Sequence, residues 1–376
     1  MARDVAPSEG SDVAVWRDRA QRFAREWIDP HAPEIDRDDR LPDGLLSALA
    51  ASGLMGMGLP DVWGGRPAPT RAVALALEAL SASSAAVATL LSVHLAVCAI
   101  PIAQLGTDDQ RDRFVRPLAA GRALGAFALS EPSVGSDAAG LACRYSSADG
   151  GFVLNGSKMF ITNAATAGII LAFATRDPSA GHRGISAFVV PKETAGVEVA
   201  QRLDKLGIRG SETTELLFQD ARLPSECLLG REGDGLRIAL GALSGGRVAI
   251  AACALGVARA GLALVRETVQ AEPADWKRTE LARSFVDYEA ARALVLHAAD
   301  LKDSGEPFLE AASAAKLLAS QSAVRIAHRG FDMIGADAGR SDARANRLLR
   351  DARVFPIVEG TTEIQELILG RSLAGA

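Results

Sequence analysis

The chain has 376 residues, enough for two or three domains, with an ordinary globular balance of 48% hydrophobic and 23% charged residues. The net charge of −5 and the absence of any Lys/Arg block argue against nucleic acid as a partner. Cys98, Cys143, Cys227 and Cys253 are scattered without a CxxC pair, and read as reduced, buried thiols of a cytoplasmic protein.

Met1 to Ser11 is polar and lacks an apolar signal core. From about 11 to 118 the spacing is helical. Trp16, Phe23, Trp27 and Ile28 recur among charges, and Leu41-Pro42-Asp43-Gly44 opens another helix with Asp43 as its expected cap. Gly53 to Gly65 is a glycine-rich connector, and Thr70 starts a long Ala/Leu/Val run. Ala85 to Ala103 is apolar enough to invite a membrane reading. It carries Thr89, Ser92, His94 and Pro101 and no Lys/Arg or aromatic anchors, so a buried core helix is expected, with no membrane partner. Thr107-Asp108-Asp109-Gln110 has the form of a capping box.

From about 122 to 229 the period changes. Phe152 to Leu154, Asn155-Gly156 and Ser157 to Thr162 predict a hairpin turning at Asn-Gly. Gly168–Thr175, Gly184–Val190, Val197–Leu203 and Thr214–Phe218 are further strands, and together they predict a compact antiparallel β domain. From Gly233 onward the helical period returns in Gly235–Gln270, Trp276–Asp303, Phe308–Ile334 and Asn346–Leu373, the last broken near Pro356. Long helices with short joins predict a four-helix bundle. The expected fold is α+β and multidomain: an α-helical N-terminal domain (1–121), a central antiparallel β domain (122–230) and a C-terminal four-helix bundle (231–376).

There is no HExxH, clustered Cys/His, GxGxxG after a strand, Walker loop or GxSxG. A metal site and Ser/His/Asp hydrolysis are therefore not expected, and any hard chemistry falls to a cofactor. Three segments could carry it. Phe127-Ala128-Leu129-Ser130-Glu131-Pro132-Ser133-Val134-Gly135-Ser136-Asp137 combines a strand end with a Pro turn and a Gly-Ser-Asp loop, offering hydroxyls and N–H groups, or simply a surface turn. Lys158 to Asn163 places Phe160 and Thr162 on one face of a strand, where a planar ring could pack. In Val358-Glu359-Gly360-Thr361-Thr362-Glu363-Ile364-Gln365, Glu359 follows the apolar run Phe355-Pro356-Ile357-Val358. It reads either as a base tuned by desolvation or as a Glu in the first turn of a helix.

These motifs, in this order, closely resemble those of the acyl-CoA dehydrogenase family of flavoproteins. The likeness runs from about Val13 to Leu373, and includes Leu59-Pro60, Trp63-Gly64-Gly65, Leu206-Gly207-Ile208-Arg209-Gly210-Ser211, Gly245-Gly246-Arg247 and Leu349-Arg350-Asp351-Ala352. It implies FAD held between the β domain and the bundle. By position, Phe127, Leu129 and Ser130 line the flavin, and Gly135 and Ser136 meet the cofactor or the thioester arm. Phe160 stacks near the ring where the family often has Trp, Thr162 bonds near N5, and Thr361 and Glu363 lie near the FAD phosphates. Arg247 lies near the acyl pocket, with Ser136 and Gly360 at the substrate. Glu359 matches the catalytic base that takes the α-proton while a hydride leaves to flavin N5. The family's other base location, just before Arg247, holds Gly246 here.

The resemblance implies an acyl-CoA or acyl-carrier-protein substrate, an electron-transfer partner or oxygen as acceptor, and a homo-oligomer, dimer or tetramer. Two departures concern FAD contacts that a neighbouring subunit supplies in this family. Arg266 to Trp276 lacks the family's Arg and Phe-Gly hairpin, and Asp332 stands where the family has Gln, with Asp337 beside it. A hetero-oligomer with a paralogue that completes the FAD site is one reading. An oxidase or monooxygenase on the same scaffold is another.

Overall fold

The computed structural model describes residues 13–375, so the polar Met1–Ser11 stretch lies outside the described residues. The first helix, Val13–Phe23, buries Trp16, Ala20 and Phe23 and continues through a wider turn, Ala24–Ile28, that buries Ile28. Trp27 stacks on Phe23 at 6.5 Å. Leu45–Ala51 is a helix, but its cap is Gly44 at φ +83, with no side-chain bond from Asp43. The left-handed cap conformation selects glycine there, so the expected Asp43 cap is not used.

Thr70–Ser81 is followed by Ala85–Ser92, Val93–Ala99 and Ile100–Leu105, one continuous rod with a widened middle. Ala85–Leu105 and Gly235–Ala271 are both long and apolar enough to cross a membrane, yet 89% and 83% of their most apolar stretches are buried inside the protein. They are core helices that pack against each other and against Thr70–Ser81. At about 1.5–3 kcal/mol per fully buried large apolar side chain, this helical layer is a main source of stability. The Thr107 box forms as expected: Thr107 N donates to Gln110 Oε1 at 2.9 Å, and Gln110 N donates to Thr107 Oγ1 at 3.2 Å.

The strands are β1 Gly125–Ala128, β2 Arg144–Ala148, β3 Gly151–Thr162, β4 Ile169–Thr175, β5 Ile185–Pro191, β6 Val197–Arg202, β7 Thr213–Pro224 and β8 Leu228–Leu229. They form one sheet in the order β6–β7–β3–β2–β4–β5–β8, with β1 also on β4. Most pairs are antiparallel, but β1 and β2 both run parallel to β4, so the sheet is mixed rather than purely antiparallel. β1 comes directly off the helical layer and reaches β4 only after the β2–β3 hairpin, a connection long enough for parallel pairing.

The hairpin expected at Asn155-Gly156 is not there. β3 runs straight through both residues, and the turn is Asp149-Gly150, at φ +44 and +79, between β2 and β3. Asn155-Gly156 instead forms a bulge against β7. Asn155 exchanges bonds with Asp220 (Nδ2 to Oδ1 3.1 Å; Asp220 N to Oδ1 2.8 Å). A side chain at Gly156, φ +141, would stand 2.8 Å from Cys143 Cα. Asn-Gly thus serves a close strand approach, which demands glycine as strictly as a turn does.

The bundle helices are Gly235–Ala271, Asp275–Asp303, Leu309–Ile334, and the broken pair Arg344–Ala352 and Thr362–Ala374. In the break, Phe355 is fully buried, and its carbonyl accepts Ser320 Oγ at 3.2 Å. A clamp ties three regions together. Arg350 donates two parallel hydrogen bonds to the Asp36 carboxylate and a third to Leu206 O at 3.1 Å, while Asp351 accepts from Ile208 N at 2.6 Å. Burial raises Asp351 to about 6. All four cysteines are buried and unpaired.

Candidate functional site

The Glu359 loop is made by the break in the last bundle segment. Pro356 O accepts Thr362 N at 2.8 Å, and Thr361 Oγ1 caps the final helix by accepting Ile364 N at 3.4 Å. Glu359 therefore precedes the helix. Glu363 occupies the first turn, exposed, its carboxyl held low by its own backbone N–H and by Thr361. Glu359 and Gly360 sit at φ +52 and +97. A left-handed non-glycine residue costs about 1–2 kcal/mol, which the surrounding contacts must offset. They do so at the next carbonyl: Gly360 O accepts Lys316 Nζ at 2.6 Å and Gln365 Nε2 at 3.0 Å.

This turn drives the Glu359 side chain inward against the first bundle helix at Gly246. A methyl group placed on Gly246 would stand 3.0 Å from Glu359 Cδ and 2.8 Å from Val97 Cγ1. Both carboxylate oxygens are buried and have no hydrogen-bond partner. Burial raises the Glu359 pKa from 4.5 to about 7, with Lys316 and Arg247 pulling the other way. Arg247 is itself buried, its Nε unpartnered, and burial lowers its pKa against the opposing pull of Glu359. Burial likewise lowers Lys316 to about 8, although Glu359 favours its charge.

Val97 connects this carboxylate to the sheet. Val93, Val97 and Ala242 form one buried cluster, with Phe127 of β1 packed on it. Phe127 also meets Phe173 edge-on at 5.1 Å. β1 is aimed by two buried polar groups. Gly125 N donates to His94 Nδ1 at 3.0 Å, and Asn163 Nδ2 donates to Gly125 O at 3.0 Å and to Leu90 O at 3.0 Å. With Nδ1 accepting, His94 Nε2 donates to Met55 O at 3.0 Å; burial lowers this histidine to about 4, so it is neutral.

The Ser130–Asp137 loop hangs from a buried ion pair. Lys158 Nζ lies 2.7 Å from Glu131 Oε1 and donates to Leu129 O at 3.2 Å. The Glu131 carboxylate also accepts Ala142 N at 2.7 Å and Cys143 N at 3.0 Å. Ser130 O accepts Met159 N at 2.9 Å, which joins the loop to β3. Leu129 is buried, Ser130 is half-buried, and Gly135 and Ser136 are exposed; nothing lies within 4 Å of where a Gly135 side chain would begin. At the end of β3 the register slips between Lys158 and Ile161, and Phe160, at φ +62, stands 66% exposed. Thr162, half-buried, follows the buried Ile161 at the strand's end.

The structure thus brings Glu359, Gly360 and Arg247 together, and assembles Phe127, Leu129, Ser130, Phe160 and Thr162 around β1 and β3, with Val97 bridging the two groups. Lys316, Gln365, His94, Asn163 and the Lys158–Glu131 pair escaped the sequence reading as site residues. For Lys316 there was a signal, a single cation inside the apolar run Ala314-Ala315-Lys316-Leu317-Leu318. Among the described residues no group of His, Cys, Asp and Glu could hold a metal.

At the other end of the bundle, the first two helices are joined by only Glu272–Ala274. Arg278 pairs with Asp275 at 2.7 Å, Arg329 is held by Asp287 at 2.5 Å and Glu280 at 3.1 Å, and Asp332 and Asp337 are exposed.

The sequence matches three descriptions of one family: acyl-CoA dehydrogenase N-terminal domain over residues 12–122, middle domain over 126–221 and C-terminal domain over 233–374. It is similar to an acyl-CoA dehydrogenase of Bacillus subtilis, 42% identical over 97% of this chain and 98% of that protein. The mitochondrial short-chain specific acyl-CoA dehydrogenase of Bos taurus is 37% identical over 95% and 89%. The structure of butyryl-CoA dehydrogenase from Megasphaera elsdenii superposes with a TM-score of 0.94 at 35% identity, covering 99% of this chain and 100% of that one.

Proposed function

The chain belongs to the acyl-CoA dehydrogenase family, and from that premise we propose that it removes the α- and β-hydrogens of a short acyl thioester, with Glu359 as the α-proton base and FAD as cofactor. One observation carries the assignment of the base: a buried carboxylate with both oxygens unpartnered and its pKa near 7, at the end of an apolar wall running through Val97 to Phe127. A short acyl group is supported by the likeness to the short-chain and butyryl enzymes.

The residues present fit a flavin ring. Phe160 is an exposed aromatic beside a bulge, Thr162 and Ser130 are half-buried hydroxyl residues on the same strand and the adjoining loop, and the space beside Gly135 is open. FAD, when bound, supplies the acceptor at N5 for the β-hydrogen and its electron pair. Phe127, Leu129, Ser130, Phe160 and Thr162 would hold the ring, and Gly135 and Ser136 the cofactor or thioester arm. Thr361 and Glu363 would lie toward the phosphates. The Glu359 backbone N–H would donate to the thioester carbonyl as enolate charge develops, a contribution of about 3 kcal/mol. Arg247 and Gly360 would border the acyl group, and the apolar Val93–Val97–Ala242 wall would keep water from the carboxylate.

The carrier of the acyl group is CoA or an acyl-carrier protein, and the electron acceptor an electron-transfer protein or oxygen. We place the enzyme in the cytoplasm as a homo-oligomer, dimer or tetramer, with domains at 1–121, 122–230 and 231–376. A second reading is a hetero-oligomer whose paralogue completes the FAD site. The three-residue join Glu272–Ala274 favours it, because no hairpin projects there toward a neighbour. Anaerobic mixing of the purified protein with butyryl thioesters of CoA and of a carrier protein tests the activity. Loss of the oxidised-flavin absorbance is expected with one of them, and an unchanged spectrum with both, in a flavin-loaded oligomer, would overturn the proposal.

A further inference from the structure

Lys316 has no role in the reaction described so far, yet it is one of the most completely enclosed cations in the molecule. It is 0% exposed on the third bundle helix, and its ammonium donates to Gly360 O at 2.6 Å. A buried ammonium is costly unless its environment uses it. Among the described residues one other side chain reaches that carbonyl, Gln365, also 0% exposed, at 3.0 Å. The carbonyl belongs to the second of two consecutive left-handed residues, Glu359 and Gly360. Holding it from two sides fixes the turn that aims the Glu359 carboxylate at Gly246.

The charges around that carboxylate are few. Arg247 faces it from the first bundle helix and Lys316 from the third, the Cys253 thiol lies nearby on the first helix, and Glu363 bears on Lys316 from the last. Arg247 acts on Glu359 through charge alone. Lys316 acts through charge and through the backbone of the Glu359 loop.

We propose that Lys316 is a positioning residue for proton abstraction: it holds the Glu359 turn by the Gly360 carbonyl and, as a cation, sets the proton affinity of the Glu359 carboxylate. This rests on Glu359 being the base. Burial would otherwise leave a carboxyl in this apolar pocket protonated and unable to accept the α-proton. Gln365 shares the hold on the turn without the charge, so the two contributions separate by mutation.

The test follows the ionisation of Glu359 directly, by infrared titration of the purified protein against Glu359→Gln, which lacks that carboxyl. Lys316→Met keeps length and bulk but removes both the charge and the donor to Gly360 O. Its Glu359 midpoint is expected to rise by one pH unit or more, with a tenfold or greater loss of α-hydrogen exchange into a bound thioester at neutral pH, recovered on raising the pH. Lys316→Arg retains the wild-type midpoint within about 0.3 units. Gln365→Leu, which removes only a hold on the turn, lowers exchange but leaves the midpoint in place; Lys316→Gln, uncharged and of similar length, takes the place of Lys316→Met if that variant does not fold. A Lys316→Met midpoint equal to wild type, or a Gln365→Leu midpoint that moves, overturns the proposal. Exchange that persists in Glu359→Gln instead overturns the assignment of the base, a distinct outcome.

Discussion

Substitution of Gly246 by alanine sets two known magnitudes against each other. In an exposed helix interior, Gly→Ala gains about 1 kcal/mol. Here the added methyl would lie 3.0 Å from Glu359 Cδ and 2.8 Å from Val97 Cγ1, where ordinary carbon contacts are about 3.5–4.0 Å. Val97 is fixed in the core rod, 2% exposed. The atom nearest the methyl is Glu359 Oε2, the end of a flexible side chain in outright overlap with it, so the carboxylate is the part that swings away, by about 1 Å. A displacement of that size at a reacting group costs about 100-fold in rate, or about 2.7 kcal/mol of barrier. Overpacking against Val97 costs about 1–3 kcal/mol, partly offset by the helix gain, so Gly246→Ala should lower the thermal midpoint modestly and still bind FAD, while its single-turnover rate of flavin bleaching by a butyryl thioester falls about 100-fold. A rate within threefold of wild type would refute the contact between Glu359 and the helix. A large fall in melting temperature with a normal rate would show that the methyl is absorbed by the core instead.

Three further outcomes follow. Glu359→Gln should lower bleaching by about 1,000-fold or more, within the usual range for a lost general base. It should also stabilise the fold at high pH. The folded-state pKa is raised, so the wild type loses stability as pH climbs from 4.5 through about 7, by on the order of 3 kcal/mol. Urea titrations of both proteins should coincide near pH 4 and diverge above pH 7, and parallel behaviour at all pH values would remove the buried carboxylate from the account. Phe160→Gly should relieve about 1 kcal/mol of left-handed strain in the apoprotein while weakening FAD about tenfold; equal FAD affinity in a fluorescence titration would exclude the ring contact. Arg350→Ala leaves the Asp36 carboxylate buried without its partner and should cost about 3 kcal/mol in urea unfolding, with the bleaching rate per bound flavin little changed.

Long periodic segments were readable from the chain because their burial is one-sided or complete. The Gly235–Ala271 helix and the enclosed Ala85–Ala103 run follow directly from composition and spacing. Asn155-Gly156 has the local form of a turn because a glycine required by a neighbouring strand is locally indistinguishable from one required by a turn, and the Cys143 contact, which separates them, exists only in the fold. The parallel pairing of β1 and β2 with β4 is a tertiary fact with no local periodicity. Glu359 itself was visible in its apolar company. What tunes it was not, since Lys316 and Gly246 lie on two other helices and meet it only in the folded bundle. The polar groups that aim β1, His94 and Asn163, were hidden because a histidine in an apolar helix looks the same whether or not it holds a backbone.

The pH dependence of the single-turnover bleaching rate tests the central claim most directly. With Glu359 as the base, the rate should rise tenfold per pH unit on the acid side and level off above about pH 7, where the carboxylate is ionised. A rate that is flat between pH 5 and 9, or that survives in Glu359→Gln with the same profile, would contradict it.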